Sequence, residues 1–367
     1  MGISRSNLST TFLSMEMQSP FIVGSSPLTF NASAMLAAHQ AGAGAVVTKT
    51  IRDEAAVNPV PHIWADNASM LNTELWSDLS GDDWVKREIP LARAYGVNVI
   101  ASIGHTAEEA AHWVPRVEEA GAQAIELVSY DQESMEAMIR TAVSLTTLPI
   151  LVKLSPNWSN PLAQTKYYST LGIQGFTVMD SLGPALRIDI QTGRSVLGGT
   201  SRGWMTGPPL KALSLHYVAE LAATLSLPIL GIGGISTASD VIEMSMAGAS
   251  VIGLCTSLML KGIASLSTLI CSTSLLLESL GYHSLAETCN LFNTTQDSFS
   301  GAPRFCLDGD VCIDCGRCRQ VCSYSAQHTQ HKILSVDASL CRYCGLCISS
   351  CPTNALFFDY EGGQRNA

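Results

Sequence analysis

The sequence predicts an α/β fold in which a closed barrel of eight parallel strands precedes a small, cysteine-rich α+β domain. Eight short apolar segments alternate with helical patterns from residue 21 onward. All twelve cysteines lie at or after Cys255, and two cysteine runs with the same spacing stand near the end. A chain of 367 residues is long enough to hold both parts.

The eight apolar segments are rich in β-branched residues. Between most of them lie segments whose apolar residues recur at helical spacing, such as Ala107–Ala120 and Ser134–Leu145. Strands joined by helical crossovers form a parallel sheet, and eight of them close a (β/α)8 (TIM) barrel. An open doubly wound sheet is the alternative, but residues 231–236 lack the third glycine of a dinucleotide fingerprint. The predicted strands are Phe21–Gly24, Ala45–Thr50, Val97–Ile103, Ala124–Val128, Ile150–Leu154, Phe176–Met179, Ile229–Ile232 and Val251–Leu254.

Four segments outside this alternation carry their own predictions. The alternating residues of Thr10–Met17 predict a short hairpin that closes the bottom of the barrel. Asp180–Gly203 is rich in glycine and turn residues and predicts a small excursion of the chain on the top face of the barrel. Gly262–Leu277 predicts a buried or interface helix, because it is too short and polar to span a bilayer. We therefore expect a barrel over residues 1–280, a linker over 281–305 and a second domain over 306–367.

The two cysteine runs share the spacing C-x2-C-x2-C-x3-C. In bacterial two-cluster ferredoxins, the first three cysteines of such a run bind one [4Fe–4S] cluster and the fourth binds the other. A zinc ribbon uses pairs of cysteines, and a disulfide knot needs an oxidising compartment, so both alternatives fit less well. Ser323 stands where proline is usual, which leaves all eight thiolates in place. The predicted sets are Cys312, Cys315, Cys318 and Cys351 for one cluster, and Cys341, Cys344, Cys347 and Cys322 for the other.

Composition limits the class of partner. A net charge of −10 argues against nucleic acid, which requires basic surfaces. The first nineteen residues lack the layout of a signal peptide, and no segment reads as a membrane span. Only 14% of residues are charged, so the chain buries much apolar surface, including a subunit interface. These observations predict a cytoplasmic oligomer.

The ends of the predicted strands carry the residues suited to a phosphate and to a reduced cofactor. Glycines at positions 231, 233 and 234 end the seventh strand, and residues 253–257 end the eighth, where barrels commonly bind phosphate. Lys49 and Lys153 emerge from apolar strands, which is costly unless each meets an anion. A reduced flavin is such an anion, and a nearby ammonium group would stabilise it.

Several motifs resemble the dihydroorotate dehydrogenase/dihydropyrimidine dehydrogenase family. They include the segments 41–50, 58–61, 71–75, 101–104, 153–157, 231–235 and 247–252. The resemblance implies FMN in the barrel mouth, with Lys153 at the N1 edge of the flavin and the phosphate on the loops after the last two strands. The residues implied to bind FMN are Gly24, Ser25, Lys49, Thr50, Lys153, Gly203, Gly207, Gly233, Gly234, Cys255 and Thr256. Gly203 to Gly207 is a looser match to the family's glycine-rich turn.

The chain departs from the family's pattern at the active site. After the fourth strand the family carries Asn and an acid–base Cys on a long loop, whereas this chain reads Val128, Ser129, Tyr130 and Asp131 and enters a helix. After the sixth strand Asp180 stands where the family has a substrate-binding Asn. Because flavin chemistry needs a proton donor, the catalytic candidates are Tyr130, Asp131 and Asp180, with His62 and His105 also considered at the rim. Asn72, Asp180 and Ser181 are the substrate-binding candidates.

Two functions follow. The first is a flavin oxidoreductase, acting on a C=C bond of a small cyclic or carbonyl-conjugated substrate other than uracil, with electrons passing through the clusters. The second is an electron-transfer subunit whose partner performs the substrate chemistry. Because the sequence shows no complete NAD(P) fingerprint, an NAD(P)- and FAD-dependent reductase subunit or a soluble ferredoxin is the expected redox partner.

Overall fold

The computed structural model describes residues 8–66, 69–294, 303–329, 331–359 and 365–366. The chain divides into two compact units, Met1–Thr295 and Gln296–Ala367.

The first unit is built around a closed barrel of eight parallel strands, which confirms the predicted fold and excludes the open sheet. The strands of this unit are β1 (Thr10–Phe12), β2 (Met15–Met17), β3 (Phe21–Val23), β4 (Ala45–Val47), β5 (Ile63–Ala65), β6 (Met70–Asn72), β7 (Val99–Ile103), β8 (Ala124–Leu127), β9 (Ile150–Lys153), β10 (Gly175–Val178), β11 (Leu182–Ala185), β12 (Ile188–Asp189), β13 (Arg194–Ser195), β14 (Gly203–Thr206), β15 (Ile229–Ile232) and β16 (Val251–Leu254). The barrel order is β10, β15, β16, β3, β4, β7, β8 and β9. Lys49 and Thr50 therefore lie just beyond β4, on the rim where the carboxyl ends of the strands meet.

Helices follow the barrel strands and enclose them. They are α1 (Ala32–Gln40), α2 (Gly81–Asp83), α3 (Ile89–Ala94), α4 (Ala107–Glu119), α5 (Gln132–Leu145), α6 (Pro161–Tyr168), α7 (Lys211–Thr224), α8 (Ala238–Met246), α9 (Thr256–Lys261), α10 (Ser265–Ser279) and α11 (Leu291–Thr294), with a π-helical turn at Trp84–Glu88 and 3-10 turns at Pro27–Thr29, Ser169–Leu171, Pro208–Leu210 and Leu285–Thr288. Side chains accept hydrogen bonds from the first free backbone N–H groups of several helices, as Thr106 does for α4 and Thr237 for α8. Among the described residues, no helix combines the length and the apolar character needed to span a bilayer.

Two apolar cores stabilise the barrel. The larger lies between the strands and the surrounding helices. The smaller fills the inside of the barrel, where Phe12, Met15 and Met17 pack against inward-facing strand residues such as Leu151 and Leu230. The hairpin β1–β2 thus closes the barrel interior, as the sequence predicted.

A second sheet stands on the side of the barrel that carries the strand ends. Its antiparallel strands run in the order β11, β14, β6 and β5, and Trp204 of β14 lies opposite Asn72 of β6. The segment 180–203 contributes β11 to this sheet and forms the separate hairpin β12–β13, which agrees with the predicted excursion. The pairing brings Asn72 and Trp204, which are far apart in the chain, to the same place.

The first half of the predicted linker, residues 281–305, is packed on the barrel. Leu285 and Thr288 are buried, and the Thr288 hydroxyl lies 2.9 Å from the Ser245 hydroxyl of α8. The interpretation of residues 281–294 as a linker is therefore wrong, because these short turns are held by tertiary contacts that leave no helical period in the sequence. Residues 295–302 of the predicted linker lie outside the described residues.

The second unit contains the short helices α12 and α13 and a small sheet. Its elements are β17 (Arg304–Leu307), α12 (Arg317–Gln320), α13 (Leu346–Ser349), β18 (Leu356–Asp359) and β19 (Arg365–Asn366). The order β17, β18, β19 is antiparallel throughout. Its core contains Ile348, Leu356 and Phe358 together with Cys347, so cysteine side chains belong to the packed interior.

Candidate functional site

A cavity of about 680 Å³ opens at the carboxyl ends of the barrel strands, within the range typical of small-molecule sites. Strand-end residues and the second sheet form its walls. Most of the predicted site residues line it, namely Ser25, Lys49, Thr50, Asn72, His105, Tyr130, Asp131, Lys153, Asp180, Ser181, Gly207, Gly233, Gly234, Cys255 and Thr256. The barrel therefore brings together residues from all parts of its sequence.

Three candidates do not line the cavity. Gly24 donates its backbone N–H to Leu254 O, and a Cβ there would meet the Ile232 side chain, so this glycine serves the barrel wall. Gly203 allows β14 to approach β6, because a Cβ would collide with the Asn72 carbonyl oxygen. These packing roles account for both glycines, and their contacts with FMN stay predictions. The His62 ring lies 3.2 Å from the Pro59 carbonyl oxygen, away from the cavity.

One end of the cavity has the features of a phosphate site. Gly233 and Gly234 adopt φ angles of +123° and +79°, which a side chain would disfavour. The buried Ser257 hydroxyl lines this end, and the buried Ser214 hydroxyl lies behind Gly233; neither has a hydrogen-bond partner among the described residues. Lys261 lines the same wall, with its Nζ 3.1 Å from Ser236 O. Two unsatisfied hydroxyls, two glycines and an ammonium group fit the phosphate of FMN.

Lys153 lies near the bottom of the cavity between two carboxylates. Its Nζ is 3.9 Å from Glu126 Oε1 and 3.9 Å from Asp180 Oδ1. Burial lowers the pKa of Lys153, but Asp180 and Glu126 outweigh this and raise it, so the lysine stays charged at neutral pH. Glu126 is only 1% exposed, and its Oε1 accepts no hydrogen bond in the described structure, while Oε2 accepts one from Thr177 at 2.7 Å.

The other cations of the inner cavity are also paired with carboxylates. Lys49 Nζ lies 2.7 Å from Glu74 Oε1 and 3.1 Å from Asp78 Oδ2, and the lysine is 3% exposed. Arg52 Nε lies 2.6 Å from Glu109 Oε1. The charges of Lys49 and Arg52 are therefore compensated within the chain before any substrate binds.

Three aromatic rings form a stack at the mouth of the cavity. The Tyr130 ring lies between His105 and Trp204, at centroid distances of 5.4 and 5.5 Å and interplanar angles of 21° and 23°. Partial burial, followed by the charge of Asp180, raises the pKa of Tyr130, although 47% of the side chain is accessible. Burial and the nearby Arg52 lower the pKa of His105. Around neutral pH the stack thus consists of a neutral phenol, a neutral imidazole and an indole.

The remaining candidates, Asp131, Asp180 and Asn72, make different contacts in the structure. Asp131 caps α5: its Oδ2 accepts a hydrogen bond from Ser134 N at 2.7 Å, and hydrogen bonds from Ser134 lower the pKa of Asp131. A capped carboxylate with a lowered pKa is a poor proton donor, so the structure supports a capping role for Asp131, and its catalytic role stays a prediction. Asp180 faces the cavity beside Lys153, and its Oδ1 accepts a hydrogen bond from Ser181 N at 2.7 Å. Asn72 also faces the cavity.

In the second unit, several members of each predicted cysteine set lie near one another. Cys312, Cys315, Cys318 and Cys351 line one small cavity, although Cys351 comes from the other run. Burial, followed by the nearby Cys344 and Cys322, raises the pKa of Cys347 to about 11, so these three members of the second predicted set lie near one another. Within the described residues, no group of three metal-binding side chains is spaced to hold one ion. A [4Fe–4S] cluster requires wider spacing, because each of its thiolates binds a different iron atom.

The fourth cysteine of each run is surrounded by backbone N–H groups. Burial raises the pKa of Cys322, but the N–H groups of residues 324–327 outweigh it and lower the pKa. Burial likewise raises the pKa of Cys351, and the N–H groups of residues 353, 355 and 356 together with the Thr353 side chain lower it. Such surroundings favour the thiolate form that iron binds.

Comparisons with known proteins agree with this geometry. A family model described as dihydroorotate dehydrogenase matches residues 7–274, which is most of the chain. The chain belongs to the dihydroorotate dehydrogenase family. A model described as a 4Fe-4S binding domain matches residues 334–357, which include the second cysteine run.

This chain is also similar in sequence to individual members of the dihydroorotate dehydrogenase family. A protein of Anoxybacillus flavithermus is 30% identical over 276 residues, which cover 71% of this chain and 88% of the relative. One from Thermoplasma volcanium is 31% identical over 268 residues, or 69% of this chain and 87% of the relative. Both are named the catalytic subunit of dihydroorotate dehydrogenase B (NAD(+)).

Family membership and the site together identify the chain as an FMN-dependent iron–sulfur oxidoreductase acting on a CH–CH bond. Sequence reasoning assigned no role to three residues at this site: Glu126, Trp204 and Lys261. A glutamate inside an otherwise apolar strand was a usable signal for Glu126. Trp204 and Lys261 carry no such signal, because only the folded chain brings them to the cavity.

Proposed function

We propose that this protein reduces or oxidises a C=C bond of a small, cyclic, carbonyl-conjugated substrate that carries no negative charge, and that uracil and dihydroorotate are poor substrates. Electrons pass between FMN and two [4Fe–4S] clusters. The observation that carries the proposal is the make-up of the cavity mouth. There, Tyr130 and Asp180 occupy positions where the family's pattern has an acid–base loop and an asparagine.

Charge argues against an anionic substrate. A carboxylate on the substrate needs a cation, but Lys49 and Arg52 already bind Glu74, Asp78 and Glu109 at 2.6–3.1 Å. Binding an anion there requires breaking a partly buried ion pair, which leaves a carboxylate uncompensated. Dihydroorotate carries a carboxylate, so we expect it to bind weakly.

Hydrogen-bond chemistry argues against uracil. The amide of an asparagine both donates and accepts, whereas an ionised aspartate only accepts. Asp180 therefore repels a carbonyl oxygen and favours a substrate N–H or O–H group. A site built to hydrogen-bond one substrate rejects an analogue that leaves its polar groups unpaired, and the ratio of the kcat/KM values can reach ~10⁴–10⁵.

Tyr130 is the proposed proton donor. FMN supplies hydride transfer when bound, and a matching proton must then reach or leave the substrate. The Tyr130 phenol carries its proton at neutral pH, faces the cavity, and has its ring held in the stack between His105 and Trp204. Lys153 would hold its positive charge against the N1 edge of a bound flavin, where an ammonium group would favour the reduced form.

The redox partner follows from what the chain lacks and from its relatives. The chain has no complete dinucleotide fingerprint. Its relatives are named catalytic subunits of an NAD(+)-linked enzyme. We therefore propose that an NAD(P)- and FAD-dependent reductase subunit, or a soluble ferredoxin, exchanges electrons with the clusters.

Turnover by the anaerobically purified holoenzyme tests the proposal. The enzyme is reduced chemically and mixed with orotate, uracil, thymine or a panel of uncharged cyclic enones and N-heterocycles, and reoxidation of FMN is followed by absorbance. We expect reoxidation by members of the uncharged panel and little by orotate or uracil. Tyr130→Phe should slow it by ~10²–10⁴, and Asp180→Asn should improve binding of uracil.

Rapid turnover of orotate or uracil by the wild-type enzyme would refute the substrate proposal. No reoxidation by any compound, together with fast electron exchange with a reductase or ferredoxin, would favour the alternative of an electron-transfer subunit.

A further inference from the structure

We propose that Gln327 and Thr329, on the segment between the two cysteine runs, each donate a hydrogen bond to a different iron–sulfur cluster and thereby raise its reduction potential. The proposal goes beyond the substrate chemistry of the barrel. It rests on the assignment of two clusters given above.

The segment that carries the two residues is fixed by backbone hydrogen bonds. Gln327 forms an isolated bridge with Val336, and His328 N donates to Ser335 O at 2.9 Å. Gln327 is 2% exposed and Thr329 is 4% exposed. Because residues two apart on an extended segment face the same side, both polar side chains enter the interior of the domain.

Gln327 is directed at the second cysteine set. Its Nε2 lies 3.4 Å from the sulfur of Cys347, a predicted ligand of the cluster whose run lies in the matched 4Fe-4S segment. Its Oε1 has no partner among the described residues. The reverse orientation of the amide would place an oxygen against the sulfur, so the donor orientation is the favourable one.

Thr329 is directed at the first set. It lines the small cavity formed by Cys312, Cys315, Cys318 and Cys351. Its hydroxyl group has no hydrogen-bond partner in the described structure. A buried hydroxyl is costly to leave unpaired, and sulfur atoms of a cluster in that cavity would be its acceptors.

A donor near cluster sulfur stabilises the reduced form more than the oxidised form, because reduction adds negative charge to the cluster. Hydrogen bonds to the sulfurs are one of the factors that set the potential. The amide and the hydroxyl are different donors on different clusters. The segment therefore adjusts the two potentials separately, and with them the direction in which an electron moves between the clusters.

The test is a redox titration of the anaerobically purified holoenzyme followed by EPR. Gln327→Met removes the donor at similar volume, and Thr329→Val does so with the same shape. At a fixed potential, we expect each variant to lower the reduced-to-oxidised ratio of one cluster about tenfold, equivalent to ~59 mV for one electron. The other cluster should be unchanged, and the two variants should affect different clusters.

Gln320→Met, the same substitution at an exposed position of α12, is the matched control and should move neither potential. If Gln327→Met loses iron, Gln327→Asn replaces it in the titration. Its side chain keeps an amide but is too short to reach the sulfur of Cys347, so the hydrogen bond is still removed. Unchanged potentials in both variants, or equal shifts of both clusters in each, would overturn the proposal. Iron analysis tests the two-cluster assignment separately, because a chain with four iron atoms instead of eight would contradict that assignment alone.

Discussion

Replacing Lys153 by methionine should destabilise the barrel as well as change the flavin. The ammonium group lies 3.9 Å from both Glu126 and Asp180. At that distance, and with an effective dielectric constant of about 20, each attraction amounts to about 4 kcal/mol. Removing one partner of a buried ion pair costs ~3–5 kcal/mol, because the remaining charge stays uncompensated. For a unit of this size, we expect the melting temperature to fall by roughly 10 °C.

The loss should depend on pH. In wild-type protein the raised pKa of Lys153 contributes stability that is lost only above the unfolded pKa near 10.5. Without the lysine, the buried Glu126 carboxylate would lack its nearest cation, and a buried charge without a partner is costly. Protonation at low pH removes that charge, so the cost grows as pH rises. Lys153→Met should therefore approach wild-type stability near pH 5 and fall behind it progressively toward pH 8.

Thermal unfolding at pH 5.5, 7 and 8.5, with excess FMN and in the absence of oxygen, measures this. Adding Glu126→Gln to Lys153→Met removes one uncompensated carboxylate and should restore several degrees at pH 8.5. Lys166→Met, at an exposed lysine of α6, controls for the loss of a surface charge. Equal stability of the single and double variants at every pH would refute the pairing of Lys153 with Glu126.

Three further predictions follow from the structure. Gly234→Ala should weaken FMN binding, because a Cβ there would stand 2.6 Å from the backbone nitrogen of Lys211. Gly96→Ala is the control: Gly96 has a similar φ of +81°, but a Cβ there would have no atom within 4 Å, so the dissociation constant for FMN should match that of wild type. Asp131→Ala should lower the unfolding free energy by about 1 kcal/mol through the lost cap, whereas Asp131→Asn keeps the cap. Equal substrate turnover in both variants would support the capping role. A large loss of turnover in both would instead support a catalytic role. Elemental analysis should find about eight iron and eight sulfide per chain in wild type and about four of each in a variant that retains only one cysteine set, whereas zinc would contradict the cluster assignment.

The barrel could be predicted because its signals are local, and the cysteine runs carry a signal of the same kind. Eight apolar segments at regular intervals allow few topologies, since parallel strands need crossovers and eight of them close. The predicted strands Ile229–Ile232 and Val251–Leu254 have the observed bounds. The cysteine spacing likewise grouped Cys351 with the first run, and the structure places it at the same small cavity.

What each site residue does required the tertiary structure. Asp131 and Asp180 look alike in sequence, yet one caps a helix while the other faces Lys153. The sequence placed Lys49 beside the flavin but gave no hint that Glu74 and Asp78 compensate its charge.

The physical reason is the range over which each property is set. Periodicity, spacing and backbone propensity are fixed by neighbours within a few residues, so the sequence alone determined the strands, the helices and the ligand runs. Ion pairing, ring stacking and burial depend on residues brought together by folding. Only the tertiary structure decided that Tyr130 stacks between His105 and Trp204, and that a Glu126 oxygen without a hydrogen bond lies 3.9 Å from a buried lysine.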